Sequence, residues 1–68
     1  MSKVKTLGAD ICYSPDESIW YAVLWILWRD GTMSERSGMD SPEFETKSDC
    51  ETWAKNIAGC TRFLYPDA

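Results

Sequence analysis

Histidine is absent from this 68-residue chain, so any chemistry would have to come from its three cysteines and eleven carboxylates. Without an imidazole the usual proton shuttle of neutral-pH catalysis is missing, and a Ser, Cys or Lys nucleophile would need a carboxylate or a lysine as its base. No spacing in the sequence sets up such a pair. Cys12, Cys50 and Cys60 form an odd set with no C-x-x-C spacing and no histidine to complete a tetrahedral site, so no structural metal is expected. Glu43 and Glu45 lie two apart in an extended segment and could form an acid/base or metal pair in a carboxylate-metal hydrolase, but solvated surface carboxylates share that spacing. Cys60, between Gly59 and Thr61 and two residues before Arg62, is the one candidate for a reactive thiol, while Cys12 and Cys50 read as small core residues. Gly8, Gly31, Gly38 and Gly59 are too dispersed to cradle a phosphate. The expectation is a non-enzyme with no catalytic residues, no metal and no cofactor.

The charge is more informative once it is located. Seven basic and eleven acidic residues give −4, and the window 40–51 holds Asp40, Glu43, Glu45, Asp49 and Glu51 against Lys47 alone, so the whole imbalance is local. A pI near 4.5 argues against direct binding of nucleic acid or anionic lipid, because both depend on Lys and Arg facing phosphates. The acidic window reads either as a solvated face beside a helix start or as an anionic patch for a basic partner. Residues 1–6 carry charge but no apolar h-region, so no signal peptide is expected; the thiols are read as free in a reducing cytoplasm.

These side chains must be positioned by one small domain, 1–68, since a chain this short hides only about 60% of the surface its unfolded form exposes. Its central feature is the ten-residue apolar run Ile19–Trp28, half the roughly 20 residues a membrane-spanning helix requires. Ser14-Pro15-Asp16-Glu17 has the form of a helix capping box and equally of a type I turn. Seven of the ten apolar residues are β-branched or aromatic, and Asp30-Gly31 follows as a favoured type I′ hairpin pair, so the run is taken as a strand rather than a helix. Its parity places Trp20, Ala22, Leu24, Ile26 and Trp28 on one face and Ile19, Tyr21, Val23, Trp25 and Leu27 on the other. One helix covers only one face of a sheet, so the second apolar face must meet the chain's own loops, another subunit or a target.

Around this strand, 9–13 reads as a preceding strand and 1–8 as a flexible segment. Residues 32–37 read as an exposed return strand, and 43–46 as a strand end with Phe44 inward. Ser48-Asp49-Cys50-Glu51 matches a capping box, and Cys50, Trp53, Ala54, Ile57 and Ala58 recur at helical spacing until Gly59, with Glu51 and Lys55 as an i,i+4 pair. A last strand over 61–65 stops at Pro66. The fold class is therefore α+β: a small antiparallel sheet in the order β-β-β-α-β, with one helix packed on one face.

This order over roughly 18–65, an aromatic hairpin, a capped helix after Phe44-Glu45-Thr46-Lys47-Ser48 and a final strand in a short acidic chain, resembles small phage-encoded inhibitors. Among these are anti-CRISPR proteins and the phage inhibitor of bacterial RNA polymerase. It also resembles the strand-strand-strand-helix-strand order of HicB-type antitoxins. The resemblance implies a phage or mobile-element protein that blocks a bacterial defence or transcription complex, or alternatively an antitoxin-like or structural homodimer. In the first case Asp40, Glu43, Glu45 and Asp49 would face the target's Lys and Arg, and Trp20, Trp25 or Trp28 would anchor the contact.

Overall fold

The computed structural model describes residues 4–66. The chain runs β1 (Val4–Ser14), β2 (Ile19–Trp28), β3 (Met33–Glu35), α1 (Lys47–Asn56) and β4 (Arg62–Leu64). The four strands form one sheet in the order β3-β2-β1-β4, which is the expected α+β arrangement. β1 and β2 pair antiparallel from Thr6↔Leu27 to Ser14↔Ile19, with an irregularity between Val4 and Thr6, and β3 pairs antiparallel with β2. β4 joins β1 in parallel, because the chain leaves the β3 edge, crosses the sheet as α1 and returns on the opposite edge. The sheet is thus mixed rather than wholly antiparallel.

Strand β1 begins earlier than its apolar pattern indicates. Residues 4–8 are strand rather than a flexible segment, since their backbone is held by β2 on one side and, at Leu7 and Gly8, by Thr61 and Arg62 on the other. Residues 1–3 of that expected segment lie outside the described residues. The β1–β2 loop contains Ser18 at φ 54, a left-handed conformation that non-glycine residues seldom adopt. At the next hairpin the expected type I′ turn does not form, because only Gly31, at φ 91, has positive φ. Gly31 N–H donates to the Trp28 carbonyl and Trp28 N–H donates to the Thr32 carbonyl, giving a three-residue loop that ends in a left-handed glycine. Asp30 braces it: its carboxylate accepts from Thr32 N–H at 2.9 Å and from Thr32 Oγ1 at 2.6 Å, which holds its pKa below the ordinary carboxylate value.

The return strand is only three residues long, but the chain keeps following β2. Arg36 N–H bonds the Leu24 carbonyl, Ser41 Oγ accepts from Ala22 N–H, and Phe44 exchanges both backbone bonds with Trp20 at 2.7 and 2.9 Å. The helix then starts two residues before the expected Ser48 cap. Thr46 is the N-cap, its Oγ1 accepting from Asp49 N–H at 3.1 Å, because the Phe44–Trp20 bridge fixes where the extended chain ends.

The core lies between α1 and one sheet face and comprises Ala9, Ile11, Ala22, Leu24, Cys50, Ala54, Ala58 and Cys60, ringed by Trp20, Met39, Phe44, Trp53, Phe63 and Tyr65. The helix side of this contact is made of Cys50, Ala54 and Ala58, so the helix can lie close to the sheet. Ile57, expected in the same stripe, is the C-cap and is 65% exposed. Glu51 accepts a hydrogen bond from Tyr65 hydroxyl, tying the helix to the end of β4, and Lys47 Nζ sits 4.5 Å from the centre of the Tyr65 ring. Among the described residues no helix is long and apolar enough to cross a membrane.

Candidate functional site

The strand parity of β2 separates the two sheet faces as its sequence implies. Ala9↔Leu24, Ile11↔Ala22 and Tyr13↔Trp20 are cross-strand pairs on the helix side. Gly8↔Trp25, Asp10↔Val23 and Cys12↔Tyr21 are the corresponding pairs on the other side, which α1 does not cover. β3 adds Met33 and Glu35 to this open face, and β4 adds Arg62 and Leu64.

Trp25 forms the floor of the open face. Its indole lies across β1 at Gly8, so close that an added Cβ there would fall 2.2 Å from ring carbons Cη2 and Cζ2. Its Nε1 donates to Asp10 Oδ1 at 3.1 Å, which satisfies the one polar atom of a side chain that is only 7% exposed. Around it, Tyr21, Val23, Leu64 and Met33 remain 36, 40, 40 and 57% exposed, so these apolar side chains stand out from the sheet with little cover. Val23, Met33, Leu64 and Glu35 surround a shallow depression above Trp25. This concave apolar patch is the first candidate site.

The second candidate is the acidic ribbon. Asp40, Glu43, Glu45 and Asp49 are all exposed, on the connection that follows the β2 edge and on the first turn of α1. Ser41 and Phe44 pin the connection to Ala22 and Trp20, so the carboxylates project from a fixed backbone rather than a loose loop. None of the four has an ion-pair partner among the described residues. Asp49, at the third residue after the Thr46 cap, also complements the positive end of the helix.

The three tryptophans expected as anchors do not share a surface. Only Trp25 faces the open side. Trp20 is half-buried on the helix side, its ring 5.0 Å from that of Tyr13, and it packs against the core. Trp28 sits by the β2–β3 hairpin, where its Nε1 donates to Ser34 Oγ at 3.0 Å. The sequence parity did place Tyr21 and Val23 beside Trp25. Met33, Leu64, Glu35 and Arg62 join this face only through the strands that flank the central hairpin. No local pattern encodes that.

All three thiols are buried. Cys60 is buried, and burial raises its pKa despite the opposing influence of Arg36, so Cys60 is not the activated thiol its neighbour Arg62 suggested. Burial likewise pushes Cys50 up to about 11, helped by Cys12 and Glu51. Cys12 is buried and its Sγ donates to the Asp10 carbonyl at 3.6 Å. Among the described residues no three His, Cys, Asp or Glu side chains converge as a metal site. What the two surfaces offer chemically is apolar area and negative charge. Compared with known protein families, with curated proteins and with solved structures, the chain matches none of them.

Proposed function

We propose that this chain is a non-enzymatic, protein-binding inhibitor acting in the cytoplasm of a bacterial cell, of the anti-CRISPR-like kind encoded by phages and mobile elements. It docks on the basic surface of an anti-phage defence complex and occludes its nucleic-acid or partner site. One observation carries the reading: Asp40, Glu43, Glu45 and Asp49 are exposed along a backbone-anchored ribbon whose single basic residue, Lys47, has its Nζ over the Tyr65 ring, so the ribbon keeps a net negative charge. A ribbon of this kind steers and orients a positively charged partner, particularly one whose basic groups ordinarily face phosphates. Direct nucleic-acid binding is disfavoured by the same charge.

The test is phage plating on bacteria that carry a CRISPR defence directed at that phage. Expression of the wild-type chain is expected to raise plating efficiency, and Glu43→Lys with Glu45→Lys is expected to abolish the gain while leaving the fold intact. Unchanged plating with the wild-type chain defeats the anti-defence reading, and full activity of the charge-reversed variant defeats the role of the ribbon. A second reading, a homodimer of antitoxin-like or structural type, is favoured by the uncovered apolar face around Trp25.

A further inference from the structure

The charges at the two edges of the open sheet face are self-complementary, while the third charge on that face, Asp10 of β1, accepts a hydrogen bond from Trp25 Nε1 of its own chain. The register links Glu35 to Trp25, Trp25 to Gly8 and Gly8 to Arg62, so these four residues form a single row across all four strands. Glu35 stands at one end of the row and Arg62 at the other, with the flat Trp25 indole over Gly8 between them. Three strand spacings, about 14 Å of backbone, separate the two charges. Both side chains are exposed, and neither has an ion-pair partner among the described residues.

We propose that the open face is covered by a second copy of the chain, the two sheets stacking face to face about a twofold axis parallel to the strands. The occupant and its orientation follow from the charges. Rotation about an axis along the strands, midway between β1 and β2, reverses the strand order without reversing strand direction. The Arg62 position of each copy is thereby brought over the Glu35 position of the other, at both ends of the row. Rotation about an axis along the row would instead set Arg62 against Arg62 and Glu35 against Glu35, two like-charge contacts that oppose association. In the first arrangement the two Trp25–Gly8 platforms meet at the centre, and Val23, Tyr21, Met33 and Leu64 lose their exposure around them. The arrangement is isologous, as a twofold interface requires.

The face is small. Two central strands of about 30 Å flanked by three-residue edge strands offer on the order of 500 Å² per copy, which is at the lower end of specific interfaces. Dimerisation is therefore expected in the micromolar range and is to be followed by analytical ultracentrifugation of the full chain from about 5 to 500 μM. This proposal rests on the homodimer reading and gives it an orientation; it is independent of the docking role of the acidic ribbon, so Glu43→Lys with Glu45→Lys leaves it unaffected.

Single reversals Glu35→Arg and Arg62→Glu each place two like-charge pairs in the homodimer and are expected to weaken it by at least about tenfold. Mixing those two variants pairs opposite charges at both ends, so the heterodimer is expected to recover to within about threefold of wild type. Where a reversal disturbs the fold by circular dichroism, Glu35→Gln and Arg62→Gln give the same reading with a smaller loss. A wild-type chain that stays monomeric at the highest concentration overturns the proposal. So do reversed variants that self-associate as wild type, or that fail to recover on mixing.

Discussion

Gly8 and Trp25 make the sharpest packing statement in the molecule. The indole occupies the space a side chain at residue 8 would need, and its Nε1 reaches Asp10 two residues along the same strand. Gly8→Ala must therefore move either the ring or the strand. We expect a loss of about 1–3 kcal/mol in denaturant unfolding, the usual cost of overpacking, with a change in tryptophan emission as the indole leaves its site. In a Trp25→Leu background the same Gly8→Ala change should cost little, and equal costs in the two backgrounds would refute the contact. The outward face of Trp25 was legible from strand parity alone. Its glycine partner was not, because Gly8 lies 17 residues away in sequence and ahead of the apolar pattern that marks the first strand. A glycine under a cross-strand aromatic has no local signature; its meaning appears only once the register Gly8↔Trp25 is known.

The same division between local and non-local information recurs at the level of elements. Residues 46–49 and 48–51 both satisfy a capping pattern, Thr-x-x-Asp and Ser-x-x-Glu, and the sequence favours the second by its glutamate. Tertiary pairing decides for the first: Phe44 is held on Trp20, and the chain must turn into the helix immediately afterwards. Thr46→Ala should thus cost about 1 kcal/mol in thermal or denaturant unfolding and Ser48→Ala no more than about half of that, whereas the opposite order would restore the Ser48 cap. Strand β2, the helix and the last strand were legible because each carries its own periodic or turn signal. The pairing of β4 with β1 in parallel was not, since it depends on a crossover from one sheet edge to the other. That crossover puts Arg62 at the far end of the row from Glu35 and so assembles the open face.

Across the whole molecule, a single thin core under one helix must supply most of the stability, and two of its members, Cys50 and Cys60, are ionisable. Their thiols are neutral in the core. Burial is the leading cause that raises both pKa values, Cys50 from near 9 to about 11. Tyr65 is also raised, chiefly because its hydroxyl donates to Glu51 and that bond is lost on ionisation. In each case the folded state holds its proton more tightly than the unfolded chain. The associated stability is fully present below about pH 9 and is lost as pH climbs through the folded values. For Cys50, a rise of about two pH units corresponds to roughly 2–3 kcal/mol, a large share of the stability of so small a domain. Unfolding free energy measured by denaturant at pH 7, 9, 10 and 11 should therefore be level to about pH 9 and fall steeply beyond it. Cys50→Ala should begin lower by the packing it removes, yet show a distinctly shallower alkaline decline, to which Cys60 and Tyr65 still contribute. If the variant declines as steeply as the wild-type chain, the buried thiol is not what limits the fold at high pH.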